Sequence, residues 1–346
     1  NIQDGFLTTN TVESVRLPEE ELMKRFVGAP AEKLHALLDP ERGIMSGTVQ
    51  NQDAYMRGKI AQRGFTDRLP SALERAMNEF DALTGRRYGL VTGYRMADAD
   101  FALVALGSTA ETAETAADWL REERGLRVGV VHPTVFRPFP GAELVELLKD
   151  VQGLVVIERM DNPLSQSNPL TIEIKAAFCD ALAGRAGYPV IHRLPEILSG
   201  AGGLGSRDVR PGDLIAVVEA LADKNQTAAR NFFSLNVDHP SALEAEVQPD
   251  VRPPGAFSLR GYSIGGFGSV TTNKLIADVS ADLFGLFVQA YPKYGSEKKG
   301  LPTEYYLTLA SEPIRTHCEM EQAEFIPLNN IHAMELGNPF VGLSDG

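Results

Sequence analysis

The sequence predicts an α/β protein: a parallel sheet interleaved with helices, followed by a second α/β unit and preceded by a region of helix and loop. Three observations lead there. Between Phe101 and Ile191, apolar runs rich in β-branched residues alternate with segments of helical period. Those runs are nearly continuous, as strands covered on both faces must be, and that property belongs to parallel sheets. Further on, a glycine-rich stretch from Arg260 to Lys274 gives way to a new helical period and then to further apolar runs, so the same grammar restarts.

Taken in order, residues 1–95 read as helix and loop, with helices expected over Glu19 to Phe26, Ala31 to Leu38 and Leu69 to Thr84, the last stopped by Gly85. Residues 96–224 form the first complete unit. Its strands are expected at Phe101 to Gly107, Val128 to Val131, Leu154 to Ile157 and Pro189 to Ile191. In the first connection, Ala113, Ala116, Ala117 and Leu120 fall at i, i+3, i+4 and i+7, with Ser108 or Thr109 as a possible cap and Gly125 as stop. Gly141 to Lys149, Leu170 to Ala183 and Gly212 to Ala222 supply the later helices. Residues 225–258, with Pro240, Pro249, Pro253 and Pro254 and little period of either kind, read as an extended linker. Residues 259–346 open a second unit, with a helix over Val270 to Ser280 and strands over Leu283 to Ala290, Tyr305 to Ala310 and Ala323 to Pro327; it reads as unfinished at Gly346.

With 346 residues the chain can bury large cores, and its formal net charge of −13 argues against nucleic acid or an anionic membrane as partner. Cys179 and Cys318 lie far apart, without the spacing of a zinc site, an iron–sulfur cluster or a disulfide framework. No apolar run reaches the roughly eighteen residues of a membrane span, and Asn1 to Asp4 resemble neither a signal peptide nor an initiator. A cytoplasmic chain is expected, as a piece of something longer.

Against this acidic background two turns stand out. In Gly265-Gly266-Phe267-Gly268-Ser269 the glycines let backbone amides approach an anion, and the helix starting near Ser269 adds its dipole. Asn273 and Lys274 follow within that helix, and Lys274 brings a full charge. The second turn, Tyr294-Gly295-Ser296-Glu297-Lys298-Lys299-Gly300, is basic. A glycine cluster alone also serves packing, and a lysine pair alone also decorates a solvated hairpin; both in one unit point to a polyphosphate cofactor. Spacing disfavours two such cofactors. Gly268 lacks the following glycine of a dinucleotide fingerprint, and the next strand ends at Gln289 and Lys293 without a ribose-binding acid. Lys274, preceded by Asn273, does not fit the Gly-Lys-Ser/Thr of a triphosphate-binding loop.

Other residues carry plainer readings. The six histidines show no HxxH or HExxH spacing, and no G-x-S-x-G elbow occurs. Glu158 and Asp161 suit capping or salt-bridging more than acid–base work. Arg137-Pro138-Phe139-Pro140 falls at the carboxyl edge of the sheet, where α/β ligands bind, yet a loop that packs Phe139 is the simpler role. Neither a catalytic base nor a metal site is assigned.

Several segments gain meaning together. Asp4-Gly5-Phe6 with Thr8-Thr9, Gly47-Thr48-Val49-Gln50-Asn51 with Asp53 and Tyr55, and Leu83-Thr84-Gly85-Arg86 occur in that order. Gly107-Ser108 with Glu111-Thr112 and then Arg137-Pro138-Phe139 follow. These are similar to the DGFRTSH, GTAQNPDxY, LTGREY, GSxxET and RPF segments of pyruvate:ferredoxin oxidoreductase and the wider family of thiamine diphosphate-dependent 2-oxoacid:acceptor oxidoreductases. Gly265, Gly268, Val270, Asn273 and Lys274 match the GSDGTVGANK of that family's gamma domain, with Phe267 in place of its acidic residue and Thr271-Thr272 in place of its small pair. Tyr294, Ser296, Lys298 and Gly300 match its YDSKKSGG, while Glu297 replaces a lysine. The resemblance spans nearly the whole chain.

The resemblance implies that residues 1–95 end a thiamine pyrimidine-type domain, that 96–224 form a transketolase C-terminal-like domain, and that 259–346 begin a gamma-type domain. It implies an enzyme that oxidatively decarboxylates a 2-oxoacid to its acyl-coenzyme A, with ferredoxin or flavodoxin as acceptor. Coenzyme A is then expected here, at Gly265, Gly266, Gly268, Ser269, Asn273, Lys274, Ser296, Lys298 and Lys299. Thiamine diphosphate, Mg2+ and [4Fe-4S] clusters are expected in the remaining domains or subunits, without which the chain is inactive. The domain order follows the pyruvate enzymes, so pyruvate is the expected substrate and 2-oxoglutarate the alternative. A non-catalytic coenzyme- or nucleotide-binding scaffold is the alternative of another class. The complete unit is expected to be a dimer.

Overall fold

The computed structural model describes residues 9–29, 39–41, 43, 47–223, 232–264, 266, 268–293, 302–336 and 338–344. Within them the chain divides into two compact units, residues 9–15, 93–133 and 141–344 in one and 16–92 with 134–140 in the other. A first short strand, β1 (Val12–Glu13), belongs to the larger unit.

In the smaller unit three helices, Glu20–Val27, Gln52–Thr66 and Leu69–Thr84, bury none of their side chains. Phe80 centres what packing there is: Phe26 meets it edge-on at 5.4 Å, Tyr88 lies 5.9 Å away and the Arg86 guanidinium stacks at 5.0 Å. The helix Gln52–Thr66 goes unread in the sequence because Gly58 and Gly64 weaken its propensity, although Asn51 caps it by accepting from the Ala54 amide at 3.4 Å. Gly85 does end the third helix, in the left-handed region at φ 68°. Arg137 lies 4.2 Å over the Phe136 ring, which meets Phe139 edge-on at 6.3 Å, the packing role expected of that loop. The helix expected over Ala31 to Leu38 lies outside the described residues.

The larger unit holds two sheets. The first has the order β2-β4-β3-β5-β6-β7-β8, where β2 is Val91–Tyr94, β3 Phe101–Ala105, β4 Val128–Pro133 and β5 Gly153–Glu158. The others are β6 (Glu196–Ala201), β7 (Phe232–Leu235) and β8 (Ala242–Leu243). From β4 to β8 each pairing is parallel. Helices Ser108–Arg124, Gly141–Leu148, Pro169–Leu182 and Pro211–Ala222 link the strands. Leu103, Val104, Leu154, Val155 and Val156 are all fully buried, which is why their runs are apolar without alternation.

Three expectations change here. Pro189 to Ile191 is not a strand; the sheet takes Glu196–Ala201 instead, whose Ser199 and Gly200 dilute the apolar signal. A Cβ at Gly200 would stand 2.1 Å from the Phe233 ring, so that strand trades side chain for the fully buried phenylalanine of its neighbour. Residues read as a linker contribute β7 and β8, strands too short to display a period. Finally, Gly107 rather than Ser108 or Thr109 occupies the cap position of Ser108–Arg124.

The second sheet is antiparallel, with the order β1-β10-β11-β9, where β9 is Phe257–Ile264, β10 Phe287–Lys293 and β11 Pro302–Ala310. The helix Ser269–Phe284 connects β9 to β10, and both run antiparallel to β11 between them, a split β-α-β arrangement. That helix continues past Ser280 to Gly285, so the strand expected from Leu283 begins at Phe287. Ala323 to Pro327 forms bridges rather than a strand: the Arg260 and Tyr262 amides donate to Phe325 and Pro327 carbonyls, and Pro327 has no N–H with which to continue a ladder. Among the described residues no helix is long and apolar enough to cross a membrane.

Gly200→Ala is expected to destabilise the protein by about 1–3 kcal/mol through overpacking against Phe233. A lower urea midpoint with unchanged slope is the expected reading; an unchanged midpoint would show that the ring yields without cost.

Candidate functional site

The glycine turn stands at the end of the second sheet where β9 leaves and the helix Ser269–Phe284 begins. Gly266 at φ 102° and Gly268 at φ 81° are held in the left-handed region that glycine alone enters freely. Both are exposed, and a Cβ on either would meet nothing within 4 Å, so the turn faces open space. Gly268 is the cap residue and makes no side-chain capping bond, which leaves the leading amides of a 16-residue helix to whatever lies in front of them. An anion suits that position by charge and by hydrogen bonding.

Neighbouring polar side chains fix the turn. The Ser263 and Ser269 hydroxyls share a hydrogen bond of 2.7 Å, and Asn329 Nδ2 donates to Ser269 Oγ at 3.2 Å and to the Tyr305 hydroxyl at 2.8 Å. Asn273, grouped with the ligand contacts on sequence, faces the sheet: it is 2% exposed and its Nδ2 donates to the Tyr306 carbonyl at 2.8 Å. Lys274, next along, is half-buried. Gly265, Ser296, Lys298 and Lys299 lie outside the described residues. Pro302 pairs with Ile264 and Lys293 with Glu304, so the chain leaves β10 and re-enters β11 at the same end of the sheet where β9 gives way to the glycine turn.

A second polar constellation, not foreseen from the sequence, joins the two sheets. Arg315 donates to Asp118 at 2.8 Å, to the Tyr94 hydroxyl at 3.1 Å and to Glu114 at 3.3 Å. His317 Nε2 lies 2.6 Å from Glu111, its Nδ1 lies 3.2 Å from Glu13, and its amide donates to Thr112 Oγ1 at 2.9 Å. The Glu-Thr pair noted in the sequence thus grips the later chain. Burial works against a charged imidazole, but the two carboxylates outweigh it and hold His317 at about 9. Burial likewise pushes Glu13 up, while His317 and the Gln289 amide bring its carboxyl below the ordinary range. Further along, the Tyr291 hydroxyl donates to the Cys318 carbonyl at 3.1 Å and accepts from the Met320 amide at 2.9 Å, with its ring stacked 4.7 Å from Tyr306. A small open pocket lies beside these residues, but Arg210 and Arg252 in its wall each already meet two carboxylates.

Glu158 has the capping role expected of it, accepting from the Leu170 amide at 2.8 Å and from the Thr171 amide and hydroxyl at 3.1 and 3.0 Å. Among the described residues no three His, Cys, Asp or Glu side chains gather as they would around a metal ion.

Comparison with known proteins gives two family matches: pyruvate:ferredoxin oxidoreductase core domain II over residues 99–214, and pyruvate ferredoxin/flavodoxin oxidoreductase over residues 258–344. Between them they take in more than half of the chain. Pyruvate-flavodoxin oxidoreductase of Klebsiella pneumoniae is 30% identical, over 100% of this chain and 29% of its own length. Pyruvate:ferredoxin oxidoreductase of Moorella thermoacetica is 28% identical, over 99% of this chain and 29% of its length. The chain therefore spans under a third of these relatives. A crystallised pyruvate oxidoreductase subunit of Thermotoga maritima aligns over 26% of this chain and 45% of its own, at 22% identity and a TM-score of 0.22, too slight a likeness to argue from.

Because His317 is held at about 9 in the fold against 6.5 when free, its ion pairs stabilise fully below about pH 6.5 and are lost as pH rises through 9. Calorimetry is expected to show the melting temperature falling across that window and His317→Gln flattening the fall. Equal slopes for the two proteins would contradict the assignment.

Proposed function

Because the chain belongs to the pyruvate:ferredoxin/flavodoxin oxidoreductase family, we propose that it is the part of such an enzyme that holds coenzyme A for the acyl-transfer step. The observation that supports this most is the glycine turn itself, whose exposed, left-handed Gly266 and Gly268 stand ahead of a helix that begins at the end of the sheet. Amides at Gly266, Gly268 and Ser269 would hydrogen-bond the diphosphate, the helix dipole would favour its charge, and Lys274 with Lys298 or Lys299 would neutralise it. Ser263, Ser269 and Asn329 would keep the turn in shape, and Asn273 would keep its helix on the sheet.

Such a site works by placing the thiol rather than by moving a proton. Holding the nucleotide end of a long, flexible coenzyme removes orientational freedom before the acyl group is transferred. Thiamine diphosphate and iron–sulfur clusters, expected in other domains or subunits, would supply the decarboxylation and electron-transfer chemistry. The substrate is pyruvate on this reading, the whole enzyme a cytoplasmic dimer, and residues 96–243 its structural neighbour to the coenzyme site.

Isothermal titration of the whole enzyme with coenzyme A tests the proposal. Lys274→Ala removes one charge-assisted contact of about 1.5–3 kcal/mol and is expected to weaken binding roughly tenfold or more. Gly268→Val denies the turn its left-handed backbone and should weaken binding at least as far. In steady-state kinetics the KM for coenzyme A should rise while that for pyruvate holds. Wild-type affinity in both variants would overturn the site.

A further inference from the structure

The helix Ser269–Phe284 is apolar on its outer side as well as its inner one. Its inner face is packed: Asn273, Ala277 and Ser280 are 2%, 0% and 7% exposed, and Ala277 joins a core with Val288, Ala290 and Leu307. Yet Leu275, Ile276, Val279 and Leu283 are 60%, 43%, 41% and 75% exposed. At about 100° per residue these four fall on a single stripe, and Asp278 with Asp282 on a stripe along one flank. A solvated outer face would be polar throughout; a continuous apolar ridge with a charged edge has the composition of an interface.

We propose that this ridge is the seat of another domain of the same oxidoreductase, one that presents an apolar surface edged by lysine or arginine to meet Asp278 and Asp282. The relatives supply the reason for that occupant. The chain accounts for 29% of their length, so more than two-thirds of such an enzyme lies outside these residues and has to pack on some part of it. A second copy of this chain fits the ridge less well. Each carries a formal net charge of −13, and a two-fold antiparallel pairing of helices brings the same flank of each together, aspartates against aspartates. The ridge also belongs to the helix that begins at the glycine turn, so a domain seated there adjoins the proposed coenzyme site. The inference rests on the chain being part of a larger enzyme and not on coenzyme binding.

A photo-reactive benzoylphenylalanine in place of Leu275, in the intact enzyme, tests it. The expected product is a cross-link to a peptide from outside these 346 residues that carries lysine or arginine beside apolar side chains. Asp278→Lys with Asp282→Lys, which leaves the ridge untouched, is expected to lower the yield several-fold. No cross-link, a cross-link to a second copy of this chain, or a yield indifferent to the charge reversal would overturn the proposal. Titration of the same samples with coenzyme A keeps the two readings apart, since normal binding without a cross-link removes the docking surface alone.

Discussion

The position of β11 between β9 and β10 sets where the strand ends of the second sheet lie. It is antiparallel to both, so the chain leaves β10 and re-enters β11 at the end of the sheet where β9 stops. Ile264, Lys293 and Pro302 therefore share an edge, although the sequence separates the first from the other two by a helix and a strand. That helix must sit in one place for its amino terminus to face the same edge, and the buried Asn273 amide, bonded to the Tyr306 carbonyl of β11, pins it there. Its Oδ1 is buried without a hydrogen-bond partner among the described residues, so the amide fixes position at a cost in stability.

The two sheets of the larger unit are joined by chemistry of a different kind. Residues 315–321 run between them and are held by charge: Arg315 to Asp118 and Glu114, His317 to Glu13 and Glu111, Lys293 to Glu319, and Arg210 to Glu321. Most of these groups are partly sheltered from solvent, where screening is weaker than at a fully exposed surface. The consequence is that Glu111 and Thr112, a motif pair at the first turn of a helix on the parallel sheet, serve to hold the later chain and thereby the sheet that carries the glycine turn. Their functional contribution is one of placement.

What the sequence made legible follows the physics of each element. β3, β4 and β5 announce themselves because both faces are buried and each position must be apolar; the helices between them show their period and their glycine stops. β6 was hidden by Ser199 and Gly200, the second of which is there for the bulk of Phe233 on the neighbouring strand, a requirement that no local window contains. β7 and β8 were hidden by brevity, and Gln52–Thr66 by glycines and the lack of a buried face. In the site, the glycine turn was legible because backbone needs dictate its residue type. That Ile264, Lys293 and Pro302 meet on one edge was not, since antiparallel register is a long-range property. Asn273 was grouped with the ligand contacts through its match to the family's GSDGTVGANK, whereas its side chain is buried and donates to the Tyr306 carbonyl. The network around His317 left no local trace beyond the Glu-Thr pair, because its members come from four distant segments.

The account stands or falls on whether backbone amides at residues 266–269 hold phosphate. An experimental structure of the intact oxidoreductase with coenzyme A bound measures that directly. The diphosphate oxygens are expected at about 2.7–3.2 Å from those amide nitrogens. A diphosphate bound elsewhere in the enzyme, with the amides at 266–269 turned to solvent or to another domain, would contradict it.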